Sequence, residues 1–258
     1  MSWTKQQLID ILQTIKAKGW IPSGRNIANV GGVGNTLEDL LGIRENNLPI
    51  ANTTEWELKT QRRSTSSLTT LLHLEPEPRT SKIVPEVLLL KYGWAHKTIP
   101  NERSFRVTMS GDRFTDRGFK VNVDRNSKKI YVDFDSSQVA SVHSDWLREV
   151  ASRVGLGPIN PRPYWTFEVL ESKTKGKLKN MVYVIADSKK EGGIEHFKYK
   201  EAWFLTDFDF ERFLKAIEKG NVLIDFDART HHNHGTKFRV YDAMQTWASF
   251  YSEAKRVV

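Results

Sequence analysis

The sequence predicts a mixed α/β protein in which helices flank a mixed sheet, and three observations carry that prediction. Near the N-terminus, Leu8, Ile9, Ile11, Leu12 and Ile15 recur at helical spacing. In the middle, two alternating runs, Phe119–Val123 and Ile130–Phe134, flank the polar stretch 124–129 and read as a hairpin. Beyond Pro163, apolar strand-like runs and amphipathic helical runs alternate regularly to the end.

In chain order, Thr4 is placed to cap the first helix, which should end near Gly19. Residues 22–35 hold Pro22, Gly24, Gly31, Gly32 and Gly34 and read as a loop feeding a short helix, Thr36 to Leu41. Strands are expected at Trp56–Gln61 and Leu68–Leu74. Pro85 suits the first turn of a helix through Val87 to Lys91. A helix is expected around Ser144–Val154, and the proline- and glycine-rich stretch Gly155–Pro163 is the best candidate for a lobe boundary. Then follow a helix near Trp165–Lys175, strands Met181–Ala186 and Phe197–Leu205, and an amphipathic helix Phe208–Glu218 ending at Gly220. Strands Val222–Asp227 and Phe238–Tyr241 and a closing helix Ala243–Lys255 complete the pattern.

Composition narrows the function classes. Among 258 residues, 39 Lys and Arg oppose 31 Asp and Glu, a formal net charge of +8 that suits a polyanionic partner such as nucleic acid. There is no cysteine, so disulfides and thiolate-bound zinc are excluded. No apolar stretch approaches the ~18 residues of a membrane span, and the first residues lack the apolar core of a signal peptide. A soluble intracellular protein is expected.

Several residue groups have chemistry to offer. In a strand, Glu57 and Lys59 share one face while Leu58 points to the other. A carboxylate beside a lysine on a rigid element can hold a divalent metal and polarise a water against phosphate; an exposed strand with alternating charges is the plainer alternative. Glu38, on the short helix, and Glu55, of the same strand parity as Glu57, are candidates for supporting that site, and Glu45 is a further nearby carboxylate. Arg62 and Arg63 precede a hydroxyl-rich stretch suited to phosphate contacts, or to an ordinary charged turn. His231, His232 and His234 lack the spacing of a zinc site. With Arg229, Lys237 and Arg239 around them, they suit base edges and phosphates better, a solvated loop being the alternative. His73 ends an apolar strand, where a structural histidine is the commoner case.

Taken together, these segments resemble a known family. Glu45-Asn46-Asn47-Leu48, Asn52, Glu55-Trp56-Glu57-Leu58-Lys59 and Arg62 look like the active-site segment of the BcnI and MvaI restriction endonucleases. Gly34 to Glu38 resembles their first catalytic-lobe helix, shared more distantly with the mismatch-repair nuclease MutH. Ser67 to His73, Phe204 to Asp207 and the His232–Val240 segment also match, in the family's order along nearly the whole chain. The resemblance implies a two-lobed, monomeric PD-(D/E)XK nuclease with its lobes around a DNA cleft. Residues 1–155 would form mainly the catalytic lobe and 156–258 mainly the recognition lobe. It implies cleavage of duplex DNA at CC-N-GG-like sites with Mg²⁺, Mn²⁺ or Ca²⁺ substituting for binding. It also implies a prokaryotic cytoplasmic enzyme with a companion DNA methyltransferase that forms no stable complex with it. Glu57 would ligate metal, Lys59 would orient or activate the attacking water, and His73 and His232 would approach the central bases from the two lobes. Arg239 would be a groove or phosphate contact, joining Arg62, Arg63, His234 and Lys237, whose own chemistry already suits DNA, and the BcnI-type histidines imply a CC-S-GG site.

One position departs from the pattern. Where the family has an aspartate, this chain has Asn52, which offers a carbonyl oxygen but no charge. Three explanations stay open: an inactivated variant that binds DNA uncut, which is favoured; a natural site that tolerates Asn with help from Glu55 or Glu45; and a naturally impaired nuclease. A non-cleaving DNA-binding protein and a MutH-like nicking enzyme are the rival functions, the histidine-rich segment opposing the latter.

Overall fold

The computed structural model describes residues 3–24, 31–43, 56–63, 65, 67–241 and 244–258. The chain forms two compact units, neither of them one continuous stretch. The first draws on Met1–Ser67, Lys173–Phe210 and Asp242–Val258, the second on Leu68–Ser172 and Glu211–Tyr241. The expected division at 155/156 therefore falls inside the second unit. Strand pairing explains the difference: the proline-rich stretch leads into strand Tyr164–Thr166, which pairs antiparallel with Lys129–Val139, and Ile159 within the stretch is buried.

The first unit is built on a five-stranded sheet. Its long central strand, Ile194–Phe208, pairs antiparallel with Met181–Glu191, with Ile21–Pro22 and with Tyr251–Arg256. Strand Glu57–Arg62 lies at the other edge, parallel to Met181–Glu191. Helix Lys5–Ala17 starts at a complete capping box, in which Thr4 Oγ1 accepts from the Gln7 N–H at 3.2 Å and Gln7 Oε1 accepts from the Thr4 N–H at 2.9 Å. Such a cap is worth about 1 kcal/mol. The helix buries Leu8, Leu12 and Ile15, and helix Gly32–Leu40 buries Val33 and Leu37, in one cluster with Leu58, Val182, Val184 and Phe204. Each such side chain contributes roughly 1.5–3 kcal/mol on leaving water. Leu58 thus faces this core, as its parity predicts, and turns Glu57 and Lys59 to the opposite face.

The second unit holds two antiparallel sheets. One has the order Thr69–His73, His232–Val240, Val222–Arg229, Arg103–Met109, Trp94–Ala95; the other joins Arg117–Asp124, Lys129–Val139 and Tyr164–Thr166. The hairpin expected from the alternating runs is present in the second. Phe105, Phe119, Phe134, Tyr92 and Trp146 pack their rings edge to face or tilted in the core, Trp146 coming from helix Ser144–Val154.

Some elements differ from the expectation. The closing helix is short, Met244–Ala248, and Tyr251–Arg256 is a strand. Its pairing with Trp203–Phe208 outweighs the helical preference of Glu253, Ala254 and Lys255. The histidine loop is the start of strand His232–Val240, entered through His231 at φ 61°. The helix around Pro85 opens as a π-helical stretch, Ile83–Leu89. Strand Arg103–Met109 was not anticipated, although Phe105, Val107 and Met109 carry its period of two. Gly220 does close helix Phe210–Glu218: its φ is +72°, and a Cβ there would lie 2.2 Å from Asp112 Oδ1. Among the described residues no helix is long and apolar enough to cross a membrane.

Candidate active site and recognition face

In the first unit, Glu57 is buried on the sheet face away from the main core, its side chain 2% exposed. Its N–H donates to the Asn180 carbonyl at 2.9 Å, extending the parallel pairing that fixes the strand. Lys59 lies two residues on, and its Nζ stands 2.7 Å from Glu57 Oε1. A second ammonium, Lys177 from the last turn of helix Phe167–Leu178, stands 3.6 Å from the same oxygen. Glu57 Oε2 is buried and has no hydrogen-bond partner among the described residues. An ionised carboxylate so placed is tolerated because charges compensate it.

The surroundings are electrostatically tight. Burial pushes the Lys177 ammonium below its usual pKa; Glu57 opposes the shift and the nearby Lys59 charge adds to it. Burial, assisted by the Glu57 charge, raises the Tyr251 hydroxyl well above the usual tyrosine range. Tyr183, directly opposite Lys59 in register, donates its hydroxyl to Gln61 Oε1 and packs its ring 5.7 Å from Trp247. Lys177 had no signal in the sequence, where it is one of several lysines in a polar helix end; only the fold delivers it to Glu57.

Glu38 sits half-buried on helix Gly32–Leu40, which packs against the Glu57–Arg62 strand. Asn52, Glu45 and Glu55 lie outside the described residues. Among the described residues no group of three His, Cys, Asp or Glu side chains is placed to hold a metal ion.

Arg62 and Arg63 are both held by carboxylates of the first unit. Arg62 grips Glu195 with two bonds, of 2.6 and 2.8 Å, and lies over the Phe197 ring. Arg63 pairs with Glu201 at 2.6 Å and Asp187 at 2.9 Å, and these hydrogen bonds raise its pKa further.

His73, His232, His234, Lys237 and Arg239 all belong to the second unit. The expected approach of His73 and His232 from two different lobes is therefore corrected: their strands are neighbours in one sheet. Residues directly opposite across a sheet share a face. Lys237 is opposite both His73 and Asp225; Asp225 is opposite Thr108, and Asp227 is opposite Arg106. The result is a polar face knitted by ion pairs: Arg239 to Asp225 at 2.8 Å, Lys237 to Asp227 at 3.3 Å and Arg106 to Asp227 at 2.9 Å. Thr108 donates to Asp225 at 2.9 Å.

At the end of that sheet, the exposed His232 and His234 rings meet edge to face, with 3.3 Å between Nε2 and Nδ1. Glu75 secures the adjoining turn, accepting from the Thr236 N–H and hydroxyl at 2.9 Å each and from Asn233 Nδ2 at 3.4 Å. Gly235 has φ +83°, whereas a Cβ there would make only ordinary 3.5 Å contacts with Glu75 and His73. Its backbone angle, not lack of space, calls for glycine. Glu75 was not singled out from sequence, where it is one carboxylate in a Pro-rich stretch.

A model of the MvaI/BcnI restriction endonuclease family matches residues 9–251. A solved complex of the restriction endonuclease MvaI with its cognate DNA substrate is similar over 100% of both chains, at 25% identity and a TM-score of 0.78. MvaI in the absence of DNA aligns over 97% of this chain and 98% of its own, at 24% identity and a TM-score of 0.54. Comparison with curated proteins finds no match.

Proposed function

Because the chain belongs to the MvaI/BcnI restriction endonuclease family, we propose that it is a monomeric PD-(D/E)XK enzyme that hydrolyses phosphodiester bonds of duplex DNA at a CC-N-GG-like site with Mg²⁺. The observation that carries this reading is the buried Glu57–Lys59 pair, 2.7 Å apart on one strand face, with a Glu57 Oε2 that has no hydrogen-bond partner among the described residues. That oxygen fits a hard divalent cation, which takes carboxylate donors. Glu57 would hold the ion with help from the side-chain oxygen of Asn52. When bound, it would supply charge at the phosphoryl oxygen and a more acidic water.

The chain's own groups account for the remaining chemistry. Hydrolysis adds a water oxygen to phosphorus and breaks one backbone P–O bond. The Lys59 ammonium can hold the attacking water by hydrogen bonding and offset the negative charge that grows on the phosphoryl group. Rigid placement on a paired strand limits the reorganisation this needs. In the second unit, His73, His232 and His234 would offer donors and acceptors to base edges, while Lys237 and Arg239 would steady the backbone. Arg62 and Arg63 would reach phosphate only by loosening their pairs with Glu195, Asp187 and Glu201. The companion methyltransferase and prokaryotic cytoplasm belong to the same proposal.

Asn52 favours a second reading, a chain that binds its site without cutting. Incubating a plasmid rich in CC-N-GG sites with the chain and Mg²⁺, beside the Asn52→Asp version, separates the two. Site-specific fragments from either protein support the nuclease. If neither cuts while both bind the duplex in a gel shift, the binding reading holds.

A further inference from the structure

The carboxylate of Glu57 faces two ammonium groups, not one. Lys59 comes from its own strand; Lys177 comes from a helix far along the chain and reaches the same oxygen. Both lysine side chains are largely covered, at 19% and 24% exposure, so solvent screens their mutual repulsion only in part. A single lysine would neutralise Glu57. Counted over Glu57, Lys59 and Lys177, the charges leave a surplus of one positive. A divalent cation entering this site alone meets that surplus, whereas a DNA phosphate is drawn by it and reverses it.

From this we propose that Lys177 is a positioning residue that makes metal loading depend on DNA. By adding a second positive charge beside Glu57, it disfavours the divalent ion until backbone phosphate arrives. The inference rests on the nuclease reading, in which Glu57 is the metal ligand. Coupling of this kind is reciprocal: whatever DNA does for the ion, the ion does for DNA. The free protein is then spared metal-loaded, water-accessible chemistry away from its substrate.

The test is calorimetric titration of the full chain with Mn²⁺ or Ca²⁺, without DNA and with a short duplex carrying the CC-N-GG site, for the parent, Lys177→Met, Lys177→Arg and Glu57→Gln. Ca²⁺ avoids cleavage during the measurement. Lys177→Met should bind metal more tightly without DNA, by roughly tenfold, and should show a correspondingly smaller DNA-dependent gain. Lys177→Arg keeps the charge and should follow the parent. Thermal unfolding checks that each variant folds; if Lys177→Met does not, Lys177→Gln takes its place. Unchanged metal affinity in a folded charge-removing variant overturns the proposal, as does Lys177→Arg behaving like Lys177→Met. Unchanged affinity in Glu57→Gln overturns the metal-site reading instead, so the two failures are told apart.

Discussion

Glu75 and Thr236 are joined twice, the carboxylate accepting from both the backbone N–H and the hydroxyl of one residue at 2.9 Å each. Thr236 is buried at 1% exposure, so the pair ties the His232–Val240 strand to the chain just beyond His73. Charge-assisted bonds to a buried partner are stronger than neutral ones. Glu75→Ala should cost about 1–3 kcal/mol, because the buried Thr236 groups lose their acceptor. Urea denaturation measures it. Duplex affinity should fall as well, since the turn carrying His232 and His234 loses its anchor. A variant as stable as the parent would show that the bonds contribute nothing net.

Residue 52 sets the second expectation. Asn52→Asp adds an anionic oxygen and should raise Mg²⁺-dependent cleavage. In that background, Glu57→Ala and Lys59→Ala should each cost several kcal/mol of transition-state stabilisation, at least about a hundredfold in rate. Single-turnover cleavage of a short duplex reads this. Full activity of the Asn52→Asp/Glu57→Ala protein would remove Glu57 from the site.

Specificity provides a third. His73 and His232 stand on neighbouring strands, and the resemblance to the BcnI type points to a G·C or C·G centre. Gel-shift titrations in Ca²⁺ should favour CC-S-GG over CC-W-GG duplexes, by about 1–3 kcal/mol for one discriminated pair. Equal affinity, or preference for the A·T centre, refutes the assignment of the central base and leaves the nuclease proposal standing.

Alkaline pH supplies a fourth. Burial raises the hydroxyls of Tyr251 and Tyr199 above the usual value of 10.0. Above that pH the unfolded chain releases these protons and the folded chain keeps them. The unfolded state then binds fewer protons, so stability falls as pH rises, by up to about 1.4 kcal/mol per pH unit for each group. The stabilisation is complete below the unfolded pKa and is lost as pH climbs toward the folded values. Denaturation at successive pH values between about 9 and 11 should show a shallower decline for Tyr251→Phe than for the parent. An identical slope would mean that Tyr251 ionises without unfolding.

What the sequence determined on its own was local. The capped helix Lys5–Ala17, the hairpin of Arg117–Asp124 with Lys129–Val139, and the shared face of Glu57 and Lys59 follow from periodicity, caps and strand parity. These are properties of neighbouring residues, and each is inscribed within a single element. The linear order of the family's segments likewise pointed to the fold without any contact being known.

The tertiary structure decided whatever depends on residues distant in the chain. Tyr251–Arg256 became a strand because Ile194–Phe208 presents an unpaired edge there, and hydrogen bonds along that edge outweigh a modest helical preference. The two units interleave because strands pair across long separations, which no composition shift near Gly155 could signal. Lys177 acquires meaning only where its helix end meets Glu57, and Glu75 only where its carboxylate meets Thr236. Charge compensation and hydrogen bonding are set by distance in space, and the fold alone converts separation along the chain into distances of a few ångströms.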